Sequence, residues 1–350
     1  MGRFNTVYNE IGNLNSSELK SIADRIFELL QQVEDSTEES FQESQIVTCR
    51  KCESSQIAKF GKDKNGKQRY RCRSCGCTFT STSFSAFAHS HCAPDVWKKY
   101  IPLLLSRCSL EKCASECGIS VRTAFLWRHK ILGLLQRDQE NRFMSGIVEA
   151  DDMFFSVSYK GNHTKSKKFV MPREAFKRGT DNAGKLGSKA CVMCAVERKG
   201  HVYGEVLGIG AANCDMLAYA FGDRLLEDTI VVADKAHSTK KYFDGTNIEL
   251  VQTAAHTISK DNTSPPEIKG VYHLQNVNNL HRRFRTFMRN YNGVATKYLN
   301  NYVNLYIWLE NHKKEKNIDF ANELYNSIKL SGSYLRVEDI INVPPIPCVA

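Results

Sequence analysis

Two Cys-x-x-Cys knuckles, Thr48-Cys49-Arg50-Lys51-Cys52 and Arg71-Cys72-Arg73-Ser74-Cys75-Gly76, constrain the folding of this chain more than any other stretch. Each knuckle presents two thiolates, and the segment between Cys52 and Cys72 is long enough for a hairpin that brings both pairs to one tetrahedral ion. Gly61 to Gly66 (GKDKNG) supplies the turn and Lys67 to Arg71 the returning strand. The spacing predicts structural Zn²⁺ on Cys49, Cys52, Cys72 and Cys75, with Cys77 spare. The chain holds 13 cysteines, an odd number, with no export signal, so clustered ones are expected to bind metal and scattered ones to pack as small apolar groups. Arg50, Lys51, Lys59, Lys62, Lys64, Lys67, Arg69, Arg71 and Arg73 make the ribbon strongly basic, and the whole chain carries +10. Both point toward a polyanionic partner.

On the amino-terminal side, residues 13–35 read as a capped amphipathic helix with Leu19, Ile22, Ile26, Leu29 and Leu30 on one stripe, followed by the polar linker Ser36 to Gln45. Beyond the ribbon the pattern turns helical from Pro94, with a break expected at Pro102. Ser109 to Cys117 opens with a Ser cap, Gly118-Ile119-Ser120 makes a short turn, and Val121 to Leu135 resumes a helix. A helix, a short Gly turn and a second helix beginning with Arg122, Thr123, Trp127, Arg128 and Lys130 is the helix-turn-helix pattern, which predicts DNA contact through those five residues. Cys113 and Cys117, at helical spacing, read as core.

The second half reads as an α/β domain. Gly146 to Phe155 (GIVEADDMFF) is a strand-like apolar run carrying Glu149, Asp151 and Asp152, and acids are expelled from strands unless something needs them there. Alternation sets Ile147, Glu149, Asp151 and Met153 on one face and Asp152 on the other, so Asp152 is not expected to share an ion with Asp151 without a bulge. Residues 159–189 form a long basic insertion, a candidate DNA-contacting arm that includes Lys167 and Lys168. Two strands joined at Lys199-Gly200 follow; the Cys191-x-x-Cys194 within them reads as packing. Thr229 to Asp234 is a buried strand ending at an acid, where α/β folds build sites, or where Asp234 simply caps the next helix. In the helix His273 to Tyr291, Asn278, His281 and Arg285 line one stripe, and Glu310 on a later helix is a remote third acid.

With 350 residues, 42% apolar and 25% charged, the chain can bury two or three cores. No apolar run reaches the roughly 18 residues of a membrane span, so a cytoplasmic protein without membrane contact is expected.

The order of these parts, together with the stretches RYRCRSCGCTF and NGVATKYLNNYV, resembles bacterial insertion-sequence transposases of the DDE superfamily, in the group with an amino-terminal zinc ribbon and a ribonuclease-H-like catalytic domain. The resemblance spans residues 45 to 312. It implies a multidomain α+β and α/β protein: amino-terminal helix and linker in 1–45, zinc ribbon in 46–82, helix-turn-helix in 92–137, ribonuclease-H-like mixed-sheet domain in 145–312 and a tail in 313–350. It further implies cleavage and transfer of double-stranded DNA at terminal inverted repeats, into target DNA, by a homo-oligomer using Mg²⁺ or Mn²⁺. Asp151 and Asp234 match the family's two metal-binding Asp positions, Asn278 the third position, flanked by Asn276 and Asn279, and Arg285 the basic position that follows. A DNA-binding regulator that no longer catalyses and a ribonuclease-H-type nuclease are the alternatives.

Overall fold

The computed structural model describes residues 48–344, apart from positions 50, 64, 65, 67, 137, 138, 140, 141 and 199 and the segments 162–188, 254–271, 314–318 and 330–334. The helix expected near the amino terminus, and Lys167 and Lys168 of the insertion, lie outside the described residues. The chain divides into two compact units, Met1–Phe84 and Ser85–Ala350.

The described part of the first unit is an antiparallel sheet of β1 (Ile57–Lys62), β2 (Gln68–Cys72) and β3 (Thr78–Phe79), in that order. Its buried core consists of Cys49, Tyr70, Cys72 and Phe79, with the Tyr70 and Phe79 rings stacked at 6.0 Å. Four such side chains, each contributing about 1.5–3 kcal/mol, fall short of the backbone entropy of about 1–2 kcal/mol per ordered residue. A fold this thin needs a second source of stability.

The second unit begins with α1 (Pro94–Leu105), α2 (Leu110–Cys117) and α3 (Val121–Leu134). The Ser109 hydroxyl accepts the Lys112 N–H, Gly118 closes α2 in the left-handed conformation (φ 63°), and the Ser120 hydroxyl accepts the Thr123 N–H. These caps set the expected turn. No break occurs at Pro102: α1 runs through it to Leu105. One missing N–H is outweighed there by the burial of Tyr100, Ile101 and Leu104.

Among the described residues, the second unit's sheet has the order β6-β5-β4-β7-β8, formed by β4 (Ile147–Ser156), β5 (Lys189–Glu197), β6 (Val202–Ile209), β7 (Ile230–Ala233) and β8 (Glu249–Gln252). The β4, β5 and β6 strands pair antiparallel, whereas β7 runs parallel to β4 and β8 parallel to β7. Alternation is strict. Val148 and Ala150 pack with α4 (Cys214–Phe221) and α5 (His237–Phe243); Met153 packs on the opposite face with α6 (Gln275–Arg289) and α7 (Leu299–His312). Cys191 and Cys194 lie on opposite faces for the same reason and are buried as packing residues.

The outer edge of β6 is closed by side chains. Asn300 Oδ1 accepts from Val206 N (3.0 Å), and Asn311 both accepts from Val202 N (2.8 Å) and donates to Val202 O (3.0 Å). Gln139 accepts from Gly204 N (3.1 Å) while donating to Asn304 (2.7 Å). The approach is close at Gly204, where a Cβ would lie 3.0 Å from Ile307 Cδ1 and the Ile307 and Val303 side chains would have to give. The region beyond residue 312, expected as a tail, contains α8 (Phe320–Lys329) and α9 (Val337–Ile341), which bury Leu324, Tyr325, Ile328 and Ile340 in the core shared by α1, α3 and the sheet. Among the described residues no helix is long and apolar enough to cross a membrane.

Candidate active site and metal centre

In the first unit, Cys49 Sγ is 3.7 Å from Cys75 Sγ and Cys52 Sγ is 3.6 Å from Cys72 Sγ; all four sulfurs lie within 4.8 Å of one another. A tetrahedron with metal–sulfur bonds of about 2.3 Å has edges of about 3.8 Å, so the cluster fits zinc as it stands. The Cys75 backbone N–H pulls the Cys72 thiol down to about 6, which prepares a thiolate. Cys77 is outside this set; its carbonyl accepts the Cys72 N–H at 2.9 Å, and burial pushes its thiol up.

The second unit gathers carboxylates where β4 outruns β7. The last paired residues are Glu149 and Val232, so two positions further along Asp151, midway along β4, stands beside Asp234, just past the carboxyl end of the parallel strand β7. A cavity of about 270 Å³ opens there, lined by Asp151, Asp152, Asp234, Ala212, Ser238 and Thr239 among others. Burial, then the charges of Asp152 and Asp234, push the Asp151 carboxyl up to about 7, against the opposing pull of the Asp152 N–H and Arg285. Asp152 is raised by burial and by Asp234. Strand alternation does direct Asp152 to the other face, where Cys191 Sγ donates to its Oδ2 (3.8 Å), yet it still lines the same cavity. β7 stops short on this side of β4, which leaves the edge beside Asp151 and Asp152 open. The Asp-Asp doublet was the available sequence signal.

Asp234 Oδ1 accepts from Ala236 N (3.1 Å), and Gln252 Nε2 donates to the Asp234 carbonyl (2.8 Å), which holds the acid in a turn ahead of α5. It does not cap α5, which starts without a side-chain cap.

Glu149 is fully buried (0% exposed) and serves α6. Its Oε2 accepts from Asn276 N (2.8 Å) and Val277 N (3.2 Å), and its Oε1 accepts from Asn276 Nδ2 (2.7 Å), with Arg198 Nε at 3.5 Å and His273 Nδ1 at 3.2 Å. A strand carboxylate thus supplies the helix cap that Leu274, in the cap position, does not. This anchors the Asn278, His281 and Arg285 stripe two residues from Asp151. The His281 ring is buried, with Nδ1 3.7 Å from Asp151 Oδ2, and burial holds it down at about 4, so it is neutral at pH 7. Its Nε2 is buried without a hydrogen-bond partner. Asn278 is exposed one turn before His281, and Arg285 one turn after. Asn276 is spent on Glu149, Asn279 accepts from Arg282 (3.2 Å), and Glu310 is paired with Arg283 (2.8 Å).

Asp151, Asp152 and Asp234 thus crowd one cavity, with the buried His281 ring packed against Asp151. The helix-turn-helix residues divide. Arg122 is exposed and Thr123 half-buried at the start of α3, whereas Trp127, Arg128 and Lys130 point inward. Trp127 stacks on Trp97 at 3.7 Å. Arg128, 4% exposed, donates to the Cys108 carbonyl (2.7 Å), and Lys130, 8% exposed, donates to the Ala88 carbonyl (3.0 Å). The expectation that all five face DNA fails at these three because α3 is covered on that face by α1 and by the segment before it.

No protein-family model matches the chain, and no curated protein matches it. Among solved structures, partial likeness is found to a simian T-cell lymphotropic virus intasome in complex with the PP2A regulatory subunit B56 gamma (11% identity, 74% of this chain and 78% of that chain, TM-score 0.28). A pre-cleavage Mos1 transpososome (13% identity, 67% and 79%, TM-score 0.20) is another. At these scores neither likeness bears on the assignment.

Proposed function

We propose that this chain is a DNA transposase of the Asp-Asp-Asn kind, a cytoplasmic, DNA-associated homo-oligomer that binds terminal inverted repeats and cleaves and transfers strands into target DNA. The observation that carries the reading is the pair Asp151 and Asp234 side by side on adjacent parallel strands, with the buried His281 ring of α6 against Asp151. The mixed sheet is in keeping with a ribonuclease-H-like domain. Asp151 and Asp234 would hold Mg²⁺ or Mn²⁺, with the Asn278 amide oxygen as a further hard ligand, and the four cysteines would hold Zn²⁺. When bound, the catalytic ions supply Lewis-acid activation of the attacking oxygen and relief of charge on the leaving oxygen. Neutral His281 packs against Asp151 and fixes its orientation without competing for charge. Arg285 meets the scissile phosphate or its neighbour. Arg122 and Thr123 reach DNA from the start of α3, and Lys167 and Lys168 from the insertion.

The neutrality of Asn278 favours a second reading, a DNA-binding regulator without catalysis. The two separate in one assay. Purified protein with Mg²⁺ or Mn²⁺ is expected to nick or join a duplex ending in the repeats that flank its gene, and Asp151→Asn or Asp234→Asn to abolish this with binding intact. Binding without cutting in either metal supports the regulator; hydrolysis without joining supports a nuclease.

A further inference from the structure

A second cavity, of about 630 Å³, lies between the α2–α3 pair and the loop joining α6 to α7, and shares no lining residue with the carboxylate site. Its charge is lopsided. Arg107, Arg128, Lys160 and Lys297 line it against one carboxylate, Glu111. Lys297 is half-buried, and burial lowers its pKa. Arg128 is almost wholly buried, its guanidinium is hydrogen-bonded to the neutral Cys108 carbonyl, and its Nε has no hydrogen-bond partner. The Tyr291 hydroxyl, on the same wall, is also buried without one. Burying cations opposite neutral groups is costly unless an anion completes the set.

The rest of the wall is aromatic, formed by Phe125, Tyr291, Tyr298 and Tyr302. Tyr298 is stacked on His129 at 4.1 Å, which holds its ring in place. A bare phosphate or a carboxylate side chain would fill only a small part of this volume. Small-molecule pockets of about 300–1,000 Å³ combine an apolar lining with a few convergent polar groups in this way.

We infer that this cavity is a nucleotide-binding site, with the phosphate held by Lys297, Arg107 and Lys160, and the base against the aromatic wall. The ligand's chemistry, an anion joined to a planar ring, is the same for a free nucleotide and for one unstacked from a DNA strand. Only the second source rests on the DNA-binding reading above.

The test is calorimetric titration of the full-length, zinc-loaded protein, without added Mg²⁺ or Mn²⁺, with dAMP, deoxyadenosine and inorganic phosphate. dAMP is expected to bind at least about tenfold more tightly than either part alone, because each part engages half of the site. Lys297→Gln and Arg107→Gln are each expected to weaken dAMP about tenfold, the loss of one charge-assisted contact. Asp151→Asn is expected to leave it unchanged. Thermal melts check each variant, and the exposed Lys160→Gln replaces either one that fails to fold. dAMP binding no tighter than phosphate, or indifferent to these substitutions, overturns the site. A duplex with one unpaired adenosine, compared with its fully paired counterpart, identifies the source. A Lys297-dependent preference for the bulged duplex points to a strand nucleotide, and equal binding to a free one. Binding of dAMP by a protein that binds no duplex would leave this site standing and remove the transposase reading.

Discussion

Asp151 is held in a conflict that its position creates. Its carboxyl sits at about 7 in the folded protein, against an ordinary value near 3.8, because burial and two neighbouring acids disfavour the charge. The folded state therefore keeps a proton that the unfolded state releases, so the stability tied to this proton is complete below about pH 4 and is lost as pH rises through 7. Asp151→Asn is expected to stabilise the metal-free protein at pH 8 by on the order of 2–4 kcal/mol, seen as a higher Tm, with the advantage gone by pH 4. A variant no more stable than wild type at pH 8 would mean that the acids are not crowded. Glu149 is a different kind of buried acid, since its oxygens accept from the Asn276 and Val277 N–H groups and from Asn276 Nδ2. Glu149→Ala leaves the Asn276 and Val277 N–H groups without their acceptor, and about 1–3 kcal/mol is expected to go. Urea unfolding measures this; a loss under about 1 kcal/mol would show that the α6 cap is dispensable.

At the scale of elements, α3 keeps its contact chemistry within its first turn. Arg122→Ala is expected to leave Tm unchanged and to lower the salt slope of DNA binding by about one. Lys130→Ala, which strips a buried donor from the Ala88 carbonyl, is expected to lower Tm, with DNA affinity falling only as the fold does. If Lys130→Ala weakened binding with Tm intact, the inward placement of Lys130 would be wrong. The helix itself was readable from Ser120 and the Gly118 turn, both local signals. Which of its cations point outward was not, because the covering Trp97, Tyr100 and Ala88 come from earlier segments. Strand β6 shows the same division. Its apolar run is visible in sequence, but the groups that complete its edge are Asn300 and Asn311 of α7, about a hundred residues away, and Gln139, held by Asn304.

For the molecule as a whole, the two units draw on different sources of stability. The second has an extended hydrophobic core running from α1 to α9, while the described residues of the first bury Tyr70 and Phe79 beside a set of four thiols. Metal analysis is expected to find one zinc per chain. Chelation is expected to open residues 48–84 to protease while 85–344 stay resistant, and Cys72→Ser to reproduce that pattern. Equal resistance of both parts without zinc would show that the ribbon holds itself together.

Features that depend on near neighbours were determined by the sequence alone: the paired knuckles, the capped helical turn, the alternation that separates Asp151 from Asp152, and the acid ending β7. Spacing and backbone geometry decide these within a few residues. The tertiary structure decided what depends on partners from distant segments. Glu149 became the cap of a helix that starts 126 positions later, by numbering (275 − 149). His281 was set against Asp151, and three α3 side chains were turned inward. Asp152 entered the Asp151 cavity where β7 stops short beside β4. Periodicity can state which face a residue occupies, but the free energy of a charge or a donor on that face depends on what is packed against it, and only the assembled core supplies that.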